Sequence, residues 1–61
     1  MAKIEWAQDG KTFMPLKKGS IGKLWDYFNF NRDIREQIAL NKFAKFRLIG
    51  DTGLLIGELP R

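Results

Sequence analysis

The chemistry open to this chain rests on seven carboxylates, Glu5, Asp9, Asp26, Asp33, Glu36, Asp51 and Glu58, and on eleven Lys and Arg side chains. Histidine and cysteine are both absent. The commonest general base and metal ligand is therefore missing, and so are thiolate nucleophiles, thiolate zinc sites and disulfides. Carboxylates alone could hold a hard cation, but no acidic loop spacing points to such a cage. Asp9 and Asp51 stand in turn sequences that explain them. Asp26, Asp33 and Glu36 lie beside Lys23, Arg32 and Arg35, the pattern of paired charges on helix surfaces. A catalytic carboxylate pair must face one cleft, which 61 residues scarcely enclose. The expectation is a non-enzymatic protein with no metal, no cofactor and no small-molecule substrate.

The cations are more informative, because they are unevenly spread. Residues 17–30 carry Lys17, Lys18 and Lys23 against Asp26 alone, and residues 42–61 carry Lys42, Lys45, Arg47 and Arg61 against Asp51 and Glu58. The remaining segments balance, so the net charge of +4 comes from two local runs. A basic chain with clustered excess has the electrostatic footprint of a nucleic-acid binder. Lys17, Lys18, Lys23, Lys42, Lys45 and Arg47 are the candidate phosphate contacts for DNA or RNA. Lys18-Gly19-Ser20 could receive an anion at a helix start, but it lacks the glycine-rich lead-in of a phosphate-binding loop. A helix-turn-helix alignment about Asn29 fits poorly, with Trp25 where a small residue is needed and Arg35 where an apolar one is. A strand in which Lys45 and Arg47 alternate with Phe46 and Leu48 would instead present one basic face.

The elements that position these residues follow from periodicity. Ile4–Ala7 and Lys11–Met14 flank Asp9-Gly10, a two-residue hairpin signal that places Trp6 opposite Phe13. Ile4, Trp6 and Phe13 would then share the core face, and Pro15 would end the second strand. Ser20 is a candidate N-cap. Ile21, Leu24, Trp25 and Phe28 recur at helical spacing and define one stripe. At Asn29-Phe30-Asn31 the phase changes. A break, with Asn31 capping a second helix and Asp33 in its first turn, is simpler than one long helix with two apolar sides. Ile34 and Ile38 are the apolar pair of that second helix.

From Phe43 the period becomes two. Ala44, Phe46 and Leu48 alternate with Lys45, Arg47 and Ile49, and Leu54–Leu59 return after the turn Gly50-Asp51-Thr52-Gly53. A three-residue loop with Gly53 at positive φ pairs Gly50 with Leu54. It would place Phe46, Leu48, Leu54 and Ile56 on one face, and Ile49, Leu55 and Leu59 on the other. The whole is one α+β domain over residues 1–61, hairpin, helical segment, hairpin.

A chain of this length buries only about 60% of its unfolded surface. Two Trp, one Tyr and five Phe can supply an efficient core. Yet Ile49, Leu55 and Leu59 on the outer face, together with Phe30, exceed what a small monomer needs to expose. A homodimer would cover them and relieve the small core. So would a protein target. The alternative to nucleic-acid binding is thus an adaptor or inhibitor of another protein, of the kind mobile elements encode as small reading frames. No apolar run spans a membrane, and the N-terminus lacks a signal-peptide core, so the expected compartment is the cytoplasm.

Overall fold

Alternating buried residues make the two central strands of a sheet, two further strands pair along their edges, and two helices make the layer that covers one face. The computed structural model describes residues 1–60. Strands β1 (Ala2–Ala7) and β2 (Met14–Gly19) precede helices α1 (Ile21–Phe30) and α2 (Arg32–Leu40), and strands β3 (Lys45–Ile49) and β4 (Leu55–Leu59) follow. This is the α+β arrangement of two hairpins about a helical centre.

The hairpins do not stand apart. All strands join in one antiparallel sheet of order β2-β1-β3-β4, with β1 paired to β3 through Ile4↔Leu48 and Trp6↔Phe46. Ala2, Ile4, Phe46 and Leu48 point to the helices and are buried with Leu24, Phe28, Ile34 and Ala44. Trp6 stacks on Phe46 with ring centroids 5.7 Å apart. Of the α1 stripe, Leu24 and Phe28 are buried, while Ile21 and Trp25 stay partly open to solvent.

Asn31 divides the two helices. Its backbone N–H donates to the Tyr27 carbonyl and closes α1. Its side chain accepts from the Ile34 N–H at 3.1 Å and opens α2. One residue therefore supplies both caps, and the break replaces the single long helix. Ser20 does occupy the N-cap position of α1, but its side chain makes no capping bond.

The first hairpin departs from its two-residue turn. Trp6 pairs with Met14, and residues 8–13 form a longer loop. The Asp9 carboxylate is the cause: Oδ1 accepts from the N–H of Lys11 at 2.9 Å and of Thr12 at 2.8 Å. These bonds stabilise an Asx-type turn in place of a tight strand reversal. Only Gly10 of the pair takes positive φ, at 78°, whereas the expected turn needs it at both positions. Phe13 therefore leaves the core side. Pro15 does not end the strand either. It lies within β2, one of the two outer strands, where a missing N–H is tolerated.

The second hairpin keeps its turn and changes its faces. Gly50 N–H donates to the Leu54 carbonyl at 2.8 Å, and Gly53 has φ 87°, as a three-residue loop requires. A bulge then intervenes, since Ile49 pairs with Leu55 but Leu48 pairs with Gly57. The extra residue moves Leu59 opposite Phe46, on the helix side, where it packs against the core. Leu54 and Ile56, expected in the core, are exposed.

Candidate interaction surface

The helices cover one face of the sheet, and paired residues on the other face form rows across the strands. One row is Lys18, Lys3, Ile49 and Leu55, running from β2 to β4. The next is Pro15, Glu5, Arg47 and Glu58. Beyond it, Ala7 pairs with Lys45.

The loop of residues 8–13 folds onto the far end of this open face. Gly10 donates to the Ala7 carbonyl, and Ala7 is buried. A Cβ on Gly10 would stand 2.8 Å from the Phe43 carbonyl oxygen and 3.7 Å from Cε of Lys45. Phe13 lies under Arg47, whose guanidinium carbon is 3.8 Å from the ring centroid. The first row, nearer Met1 and the β3–β4 turn, lies away from this loop. There a shallow depression of about 440 Å³ is lined by Lys3, Lys18, Ile49 and Asp51, among others. The Met1 amine pairs with Asp51 across 3.3 Å.

Arg47 is the most engaged cation of the face. Its Nε and Nη2 both donate to Glu5 Oε1, at 2.8 and 2.7 Å. Lys3 Nζ approaches the other oxygen, Oε2, at 3.5 Å. The hydrogen bond from Arg47 holds the Glu5 carboxyl below the usual glutamate range, with the charges of Lys3 and Arg47 adding and partial burial opposing.

The six cations expected to contact phosphate do not converge. Lys18, Lys45 and Arg47 share the open face. Lys17 pairs with Ile4, on the helix side, with its Nζ 4.7 Å from the Tyr27 ring centroid. Lys23 is exposed on α1. Lys42 follows α2, with its Nζ 5.2 Å from the Phe43 centroid. The second basic run thus gathers around the exposed ring of Phe43 and the loop of Gly10, while the first is divided between the two faces.

The apolar candidates fare differently from one another. Ile49 and Leu55 are neighbours on the open face, with Leu55 exposed and Ile49 half-buried. Phe30, at the end of α1, is 70% exposed. Leu59 is partly buried against the core. Two residues absent from the candidate set join them: Leu54 and Ile56 make Leu54-Leu55-Ile56 a run exposed by 71, 56 and 42%. The un-bulged alternation had assigned both to the core. Lys3 was also missed. It lies in a charge-balanced segment, and only its pairing with Lys18 reveals a cationic end to the row.

On the helix side, Trp6, Tyr27, Phe46, Ile34 and Leu16 line a groove of about 250 Å³ with Asp33 and Gln37. Among the described residues, no group of three or more Asp and Glu side chains is placed to hold a metal ion. No helix is long and apolar enough to cross a membrane. Comparison with protein-family models, with curated proteins and with solved structures found no match.

Proposed function

We propose that this chain is a non-enzymatic protein-interaction module, an adaptor or inhibitor that docks through its C-terminal hairpin. The observation carrying this reading is exposed Leu55 beside Ile49, on the sheet face opposite the two helices, with Leu54 and Ile56 exposed on either side of it in the chain. Three consecutive aliphatics left in water are what a folded monomer avoids unless a partner covers them. None of the three belongs to the buried core cluster. A tagged chain should recover one stoichiometric protein after nuclease treatment, and Leu55→Glu should abolish recovery while circular dichroism and the melting temperature stay unchanged. If Leu55→Glu, Leu54→Lys and Ile56→Lys all bind as the parent does, the hairpin is not the docking surface. Sedimentation at several concentrations separates a second copy of the chain from a different partner.

Nucleic-acid binding is the second reading, favoured by a different site. Phe43 is 61% exposed, carries Lys42 on its ring, and stands where Lys45 lies against Gly10, with Lys11 next in the same loop. An aromatic face among cations is the arrangement that stacks a base and pairs the adjoining phosphates. Titration of single-stranded and duplex oligonucleotides at about 50 mM salt tests it, since affinity must fall steeply with added salt. Phe43→Ala should weaken single-strand binding. Unchanged binding would remove the stacking role.

A further inference from the structure

The row Lys18-Lys3-Ile49-Leu55 crosses all four strands, and it is cationic at one end and aliphatic at the other. Lys3 and Lys18 stand directly opposite on adjacent strands, a placement that repels and destabilises a sheet. Glu5 answers Lys3 at 3.5 Å. Lys18 has no ion-pair partner among the described residues. At the other end Ile49 and Leu55 are paired side by side, with Leu55 more than half exposed. The sheet thus keeps an unfavourable pair of like charges next to a pair of aliphatics of which Ile49 is half-buried and Leu55 exposed.

We infer that this row is the recognition surface for a protein segment of complementary order, acidic at one end and aliphatic at the other. This rests on the protein-docking reading above and names the chemistry of its partner. Carboxylates set over Lys3 and Lys18 would turn the repulsive pair into a bridge. Aliphatic side chains over Ile49 and Leu55 would remove their surface from water. Strands lie about 4.8 Å apart, so the row extends over about 14 Å and the centres of its halves lie about 10 Å apart. On a partner segment this corresponds to acid and aliphatic groups about seven residues apart on one face of a helix, or about two to four, an even number, in an extended strand. A nucleic acid would satisfy the lysines and leave the aliphatics uncovered.

The test is selection of a displayed library of random 16-residue peptides against the immobilised full-length chain. Three forms are used: the parent, a Lys3→Glu/Lys18→Glu double variant, and Leu55→Glu. Each is first checked for an unchanged circular dichroism spectrum. The expected outcome is enrichment of Asp or Glu at the stated spacing from Leu or Ile. Affinity should fall about tenfold or more on the double lysine variant, and again on Leu55→Glu. Raised salt should weaken binding to the parent more than to the double variant. Enrichment of apolar peptides that bind the lysine variant equally well, yet not Leu55→Glu, would overturn the acidic partner and leave the docking reading standing. Peptides indifferent to Leu55→Glu, or no enrichment at all, would overturn both.

Discussion

Replacing Arg47 by Ala separates a structural cation from a binding one. The guanidinium makes two short bonds to one oxygen of Glu5 and sits over the Phe13 ring, its carbon 3.8 Å from the centroid. The Glu5 side chain is 15% exposed and that of Arg47 35%, so the pair is neither dry nor fully screened. Hydrogen bonds involving charged groups contribute about 1.5–3 kcal/mol, and the exposure of Arg47 places this one at the lower end. The stack on Phe13 adds about 0.5–1 kcal/mol. Lys3 remains near the other oxygen, which limits the penalty of leaving Glu5 behind. Arg47→Ala should therefore destabilise by about 2–3 kcal/mol. In a domain this small, that corresponds to a fall of about 8–24 °C in Tm. Urea unfolding followed by Trp6 and Trp25 fluorescence measures it. A cycle with Glu5→Gln isolates the pair, for which about 1–2 kcal/mol of coupling is expected. Coupling below about 0.5 kcal/mol, the scatter of independent sites, would refute the interpretation of the contact as structural. Arg47 would then be free to serve as a ligand for phosphate.

The same pair sets a pH dependence. Because Arg47 holds the Glu5 carboxyl below its unfolded value, its contribution is present above about pH 4–5 and is lost as pH falls through the lower folded value. Unfolding curves from pH 7 to pH 2 should show this loss in the parent and less of it in Arg47→Ala. Gly10→Ala should destabilise more than Gly53→Ala, although both sites have positive φ. At Gly53 the new Cβ meets nothing, so the left-handed penalty of about 1–2 kcal/mol stands alone. At Gly10 the Phe43 carbonyl oxygen lies 2.8 Å away and adds about 1–3 kcal/mol. Equal losses in urea melts would mean that the loop does not press on Phe43. Asn31→Ala removes the bond to the Ile34 N–H and should cost about 0.5–2 kcal/mol. Asn31→Asp should recover most of it in the same urea assay.

Features written in neighbouring residues were legible from the chain alone. The break at Asn31, the helix start after Ser20, the Gly53 turn and the alternation through Phe46 and Leu48 depend on caps, glycine conformations and side-chain period. These act within a few residues, where sequence and geometry are closely tied. The first hairpin failed at that same range because two local signals competed. Asp9 could begin a tight reversal or bond forward to Lys11 and Thr12, and it does the latter.

The open face depended on distance. Pairing of β1 with β3 joins residues about forty positions apart, and no local pattern chooses that partner or the resulting strand order. From it follow the Glu5–Arg47 pair, the meeting of Lys3 with Ile49, and the four-strand row. The bulge in β4 then decided which aliphatics beyond it are covered, turning Leu59 toward the core and leaving Ile56 exposed. Composition excluded histidine and cysteine chemistry, and the order of residues located the excess charge. Which cations and aliphatics share a surface was decided only by the sheet, because one inserted residue reverses the face of everything beyond it.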